Sequence, residues 1–122
     1  MRVGPTLDKI LADYPNDVRM VYKQHPLPMH QNAMAAAEAA MAANAQGKFA
    51  AMNEKLLANS AALSRDKYLQ IAAEIGLDVK RFTNDIDTHV YKQSIEAQAA
   101  EAMKVGATGT PATFVNGRFV SG

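Results

Sequence analysis

The chain has 122 residues, of which 48% are hydrophobic and 20% charged, with a formal net charge of +1. That length suits one domain with its own apolar core, and the near-balanced charge excludes a strong footprint for nucleic acid or an acidic membrane. There is no cysteine, which removes disulfide exchange, thiolate nucleophiles and thiolate metal sites from the chemistry of these residues.

Met1-Arg2-Val3-Gly4-Pro5 lacks the basic-then-apolar pattern of an export signal, and no apolar run approaches the ~20 residues that cross a bilayer. Pro5 suits the first turn of a helix, where its missing N–H is no loss. Leu7, Ile10, Leu11 and Tyr14 then recur at helical spacing. Pro15-Asn16-Asp17 ends that helix. Val18–Lys23 has the residue types and alternation of a strand. Gln24–His30 is punctuated by Pro26 and Pro28, which keep His25 and Leu27 out of helical geometry.

From Asn32 an Ala-rich helix runs to Ala45, with Met34, Ala37, Met41 and Ala45 on one face and Gly47 as terminator. Phe49, Met52, Leu56 and Leu57 mark a helix ending near Asn59. Ser64 is an N-cap with Leu63 and Tyr68 as its apolar staple. Tyr68, Leu69, Ala72 and Ile75 form the buried face of the next helix, closed by Gly76, with Leu77 folding back. Asp78 caps a short helix carrying Val79, Phe82 and Ile86. A last helix starts at Thr88, turns Tyr91, Ile95, Ala99, Ala102 and Met103 inward, and ends before Gly106. Ala112–Val115, the dipeptide Asn116-Gly117 and Arg118–Val120 then read as a hairpin. Helix, strand, about five helices and a hairpin make an α/β pattern with a large helical insertion, because a helical bundle has no use for two distant β-rich runs.

In this order the segments resemble a DsbA-like thioredoxin domain, of the bacterial thiol:disulfide interchange type. Arg2–Leu7 is similar to the helix that follows the family's redox motif, and Val18–Lys23 to the next strand. His25-Pro26-Leu27-Pro28-Met29-His30 is similar to the Pro-rich approach to its helical insertion, here spanning about residues 31–104. Ala33–Phe49 and Met52–Leu57 resemble the first insertion helices, although residues 50–53 lack an aromatic expected soon after Phe49. Gly109-Thr110-Pro111 resembles the family's cis-proline loop. From the residues alone, Pro111 is a plain turn proline.

The resemblance implies a thioredoxin-like fold lacking its first strand and last helix, with the Cys-x-x-Cys placed just before Arg2: a single-domain fragment of an oxidoreductase, redox-inactive as given. It implies substrate contacts at Gly109, Thr110 and Pro111 and an active-site-adjacent helix start at Arg2, Val3, Gly4 and Pro5. In the family, the dipole of that helix lowers a cysteine pKa, and the proline loop pairs with an extended peptide. The partner expected is an extended peptide or unfolded protein, and the compartment implied is the periplasm or cell envelope. Loss of a central strand leads to an expectation that Val18–Lys23 and Ala112–Val115 either pair directly or associate with another copy, as a homodimer or strand-swapped oligomer.

Other chemistries are poorly supplied. His25, His30 and His89 lack a carboxylate pair at metal-ligand spacing, so no metal is expected, and no cofactor motif is present. Gly106-x-x-Gly109 neither follows a strand nor opens a helix, so it is no phosphate loop. Two other readings stay open: a cysteine-free peptide-binding or chaperone-like module using the Thr110-Pro111 groove, and a helical interaction scaffold whose β runs are incidental.

Overall fold

In a computed structural model of the chain, residues 3–26, 32–110 and 112–120 are described. The described residues form six helices and one hairpin: α1 (Val3–Asp13), α2 (Ala33–Ala45), α3 (Phe49–Ala58), α4 (Arg65–Glu74), α5 (Val79–Asp87), α6 (Lys92–Lys104), β1 (Thr113–Val115) and β2 (Arg118–Val120).

The helix ends are set by local chemistry legible in the sequence. Ser64 accepts from the Lys67 N–H at 3.2 Å, and Asp78 from the Arg81 N–H at 3.1 Å, each satisfying an orphan donor of the first turn. Helices α2, α4 and α6 end alike, on a glycine at positive φ (75° at Gly47, 81° at Gly76, 86° at Gly106). The residue after each glycine donates back five residues along the helix: Lys48 to Ala43, Leu77 to Ala72 and Ala107 to Ala102, all at 2.9 Å. This is a Schellman closure. Leu77 and Ala107 are accordingly buried.

Helix α2 is the centre of the molecule, with α3, α5 and α6 packed around it. Ala37, Glu38, Ala39, Ala40, Ala42 and Ala43 are all buried. The expectation of one inward stripe at Met34, Ala37, Met41 and Ala45 is corrected: Met34, Met41 and Ala45 are not fully buried, because neighbours on several sides leave the helix no single inner face. Alanine lets those neighbours approach closely. Phe82, Met52, Ile71 and Ile95 are the largest fully buried side chains. Met52 fills the region where the sequence lacks an aromatic after Phe49. Leu56 is buried and its neighbour Leu57 is exposed, as the ~100° step between successive helical residues requires.

Four further expectations are corrected. Val18–Lys23 forms no ladder: a strand needs a hydrogen-bonded neighbour, and among the described residues β1 pairs only with β2. The direct pairing of Val18–Lys23 with Ala112–Val115 is therefore not formed. The α1 stripe is only partly covered: Leu7 and Leu11 are half-buried, while Ile10 and Tyr14 are exposed. Thr88 does not open the last helix. It caps the end of α5, its hydroxyl donating to the Asn84 carbonyl at 2.7 Å, and His89 at φ 54° breaks the chain before Lys92. Met103 is exposed.

The hairpin forms as read. Asn116 (φ 50°) and Gly117 (φ 81°) hold the two left-handed positions of a type I′ turn. The register is Thr113 to Val120, Phe114 to Phe119 and Val115 to Arg118. The two phenylalanine rings meet edge to face with centroids 5.4 Å apart.

Candidate functional site

The Schellman closure of α6 throws the chain sharply at Gly106, and the next residues run to the hairpin as an irregular loop. Gly106, Ala107, Thr108, Gly109 and Thr110, with Ala112 and Phe119, line a shallow hollow of about 240 Å³. That is below the ~300–1,000 Å³ of a typical small-molecule pocket. Its lining is backbone, two threonine hydroxyls, methyl groups and one aromatic ring, with no charged side chain among the described residues.

The loop is fastened from a distant part of the chain. His25 Nε2 donates to the Ala107 carbonyl at 2.7 Å, and the Gln24 N–H donates to Oε1 of Gln98, on α6, also at 2.7 Å. These two bonds pin residues 24–25 alongside α6 and its closing loop. Upstream, the Tyr22 ring packs on Phe49, the first residue of α3, with centroids 5.3 Å apart. Residues 24–25 thus reach the loop although Val18–Lys23, just before them, is no ladder strand. With Nε2 donating, His25 Nδ1 is a buried acceptor without a hydrogen-bond partner among the described residues.

The structure therefore brings Gly109 and Thr110 into one hollow. Pro111, the third expected substrate contact, lies outside the described residues, as does Arg2. Val3, Gly4 and Pro5 open α1 and are not among the residues lining the hollow. Sequence reasoning weighed His25 as a metal ligand against a plain loop residue, favoured the loop, and missed it as the loop's clamp. The available signal was its place before Pro26, which holds residue 25 in extended geometry with its ring free to reach sideways. Among the described residues no group of three or more His, Cys, Asp or Glu side chains is arranged to hold a metal, and no helix is long and apolar enough to cross a membrane.

A helical domain carrying a Gly-Thr-Pro loop between its last helix and a tight hairpin has a counterpart among known families. The DSBA-like thioredoxin domain matches residues 2–122. The chain belongs to that family, and its fold is the α/β fold of such domains, here mostly helical with a small two-stranded sheet.

The chain is 36% identical over 115 residues to a Na(+)/H(+) antiporter NhaA of Herminiimonas arsenicoxydans, covering 94% of this chain and 18% of that protein. It is 32% identical over 122 residues to Na(+)/H(+) antiporter NhaA 1 of Mycobacterium sp. strain KMS, covering 96% and 20%. It is 36% identical over 115 residues to Na(+)/H(+) antiporter NhaA 3 of Salinispora tropica, covering 93% and 18%. The chain thus spans about a fifth of the length of these curated relatives. No solved structure matches.

Proposed function

We propose that this domain holds an extended polypeptide beside the 106–110 loop, as the substrate-docking part of a thiol:disulfide oxidoreductase, and that these 122 residues carry out no exchange themselves. The observation that carries this reading is the loop itself. In a member of the DSBA-like thioredoxin family, Gly109 and Thr110 line an uncharged hollow clamped by His25. Backbone groups held in place at such an edge suit strand addition, in which main-chain bonds bind and shallow pockets select side chains. Gly109, Thr110 and Pro111 are the substrate contacts in this reading. In the same reading Val3, Gly4 and Pro5, the dipolar start of α1, together with Arg2 before them in sequence, belong to the side from which a thiolate would act. Exchange needs that thiolate, and none of the 122 residues is a cysteine.

The test is titration of the isotope-labelled chain with an extended, cysteine-free peptide, followed by amide shifts, alongside an insulin-reduction assay. Shifts at residues 106–120 with no reduction above background support the reading. Shifts confined to α3 and α4, or turnover by the chain alone, overturn it. A peptide bound by a natural polypeptide with no Cys-x-x-Cys ahead of Arg2 would instead favour the cysteine-free binding module. Exposed apolar residues on the hairpin (Phe114, Val115, Phe119 and Val120), with the unladdered Val18–Lys23, favour association with a second copy. Light scattering across a concentration series tests it. Export of the domain to the cell envelope is tested by fractionation.

A second reading rests on coverage. The matches take in 93–96% of this chain but 18–20% of each antiporter. In this reading the domain is one part of a longer Na(+)/H(+) antiporter polypeptide. Membrane fractionation of the natural gene product tests it, with a soluble product of this size counting against it.

A further inference from the structure

Asn116-Gly117 is the one place in the chain where an asparagine precedes a glycine. The pair forms the tip of the hairpin, with both residues exposed and both at positive φ, 50° and 81°. The last pair of the ladder is Val115 with Arg118, and the Gly117 N–H has no backbone partner among the described residues. Gly117 also has no β-carbon to obstruct the approach of its nitrogen to the neighbouring side chain.

The other asparagines are placed differently. Asn44, Asn53 and Asn84 lie inside α2, α3 and α5, where the helical ladder holds the N–H of the following residue. Asn59 donates its side-chain amide to the Lys55 carbonyl at 2.8 Å and is followed by Ser60. Asn16 precedes Asp17, whose N–H bonds to the Tyr14 carbonyl. Asn32 precedes Ala33, whose β-carbon crowds the approach of that nitrogen. The hairpin itself is weakly supported. Each strand has three residues, and no third strand lies beside them among the described residues. Phe114 through Val120 are all exposed. A two-stranded hairpin of this kind is marginal in water, so the turn opens readily.

We propose that Asn116 is a site of spontaneous covalent modification, and that its slow conversion to isoaspartate opens the hairpin in one direction only. In the opened turn the Gly117 backbone nitrogen gives its proton to solvent and attacks Cγ of Asn116. An N–Cγ bond forms, the Cγ–Nδ2 bond breaks, and the Nδ2 group takes up a proton and leaves as ammonia. A five-membered imide remains. Water, the sole co-reactant, then adds at one of its two carbonyls and reopens the ring. One opening leaves an aspartate, and the other leaves an isoaspartate whose main chain runs through Cβ. Aspartate before glycine suits a type I′ turn as asparagine does, so that product re-forms the hairpin with one added negative charge. Isoaspartate adds a methylene to the main chain inside a two-residue loop whose length fixes the register. The pairing of Phe114 with Phe119 is then lost, and Phe119 leaves the wall of the hollow. The released ammonia makes the change irreversible.

The test incubates the full 122-residue chain for weeks in mildly alkaline buffer at body temperature, alongside Gly117→Ala and Asn116→Asp. Peptide mapping by mass spectrometry reads the amide-to-acid change at each asparagine, and a methyltransferase specific for isoaspartate counts that product. In the unaltered protein most of the amide at position 116 is expected to be lost while Asn32 and Asn59 keep theirs. The isoaspartate fraction, separated by chromatography, should lack the magnetisation-transfer contacts between the rings of Phe114 and Phe119, which fresh Asn116→Asp should keep. Gly117→Ala should retain its amide over the same interval, although alanine at φ 81° strains the turn. Equal loss at Asn32 or Asn59, or equal or faster loss in Gly117→Ala, overturns the proposal. So do ring contacts kept in the isoaspartate fraction or missing from fresh Asn116→Asp. Should Gly117→Ala fail to fold, the sites within the unaltered protein decide: loss led by position 116 supports the proposal, and equal loss overturns it.

Discussion

His25 and Ala107, 82 residues apart in sequence, are joined by a 2.7 Å hydrogen bond from the imidazole Nε2 to a carbonyl in the loop that closes α6. Residues 24–25 have no ladder to hold them, so this bond and the one from the Gln24 N–H to Gln98 are the polar ties that set their position. Replacing His25 by Ala leaves the carbonyl of a buried alanine without its donor. The expected cost is about 1–3 kcal/mol, the range for an unsatisfied buried group. Urea denaturation measures it, and amide shifts should change at residues 106–110 while α3 and α4 stay unperturbed.

Gly106 and Gly109 separate backbone need from space. Both have open room where a β-carbon would sit, but Gly106 is at φ 86° and Gly109 is not in the left-handed range. Gly106→Ala is expected to destabilise by about 1 kcal/mol through its backbone alone. Gly109→Ala should change stability by less than about 0.5 kcal/mol. Thermal or urea midpoints of the two variants give the comparison directly.

Acid should weaken the junction between α4 and α5. The two hydrogen bonds from Arg65 hold the Asp87 carboxyl below its ordinary value, against a smaller opposing effect of desolvation. An acid whose folded value is depressed binds fewer protons folded than unfolded. Its contribution is present above the ordinary aspartate value of about 3.9 and is lost as pH falls through the depressed folded value. Urea midpoints measured downward from pH 5 should therefore drop more steeply in the unaltered protein than in Arg65→Gln. Both side chains are about half exposed, so the difference should shrink in high salt.

Tyr68 gives the opposite sign at the alkaline end. Burial pushes its hydroxyl above the ordinary value, and that hydroxyl has no hydrogen-bond partner among the described residues. A group whose folded value is raised contributes stability that is whole below its unfolded value, about 10, and is lost as pH climbs through the folded value. Tyr68→Phe removes the unpartnered oxygen while keeping the ring. It is expected to be neutral or stabilising by about 1 kcal/mol at neutral pH and to flatten the loss of stability as pH climbs above the ordinary tyrosine value of about 10. Circular dichroism along an alkaline titration follows it.

Punctuation in the sequence carried a long way. Ser64, Asp78, Gly47, Gly76, Gly106 and Asn116-Gly117 mark starts, stops and a turn by chemistry that acts within a few residues, so it operates wherever the segment lies. The Gly-Thr-Pro loop and the order of helices likewise pointed to the family that matches residues 2–122. Features that need a distant partner were not legible in the same way. Val18–Lys23 has strand composition, yet pairing belongs to two segments and its own residues supply one. The α1 stripe has helical spacing, yet only Leu7 and Leu11 of it are half-buried. Thr88 looks like a helix start, while the left-handed turn at His89 places that start at Lys92.

By itself, then, the sequence determined where most helices begin and end, the hairpin and its register, the family, and the absence of any thiolate among these residues, because each follows from residue identity or short-range bonding. Tertiary structure alone decided that α2 is the hub rather than a one-faced helix, that His25 clamps the loop after α6, and that Glu38 is buried opposite His89. Those facts depend on which surfaces meet in space, and contacts across 51 and 82 residues leave no mark on local spacing.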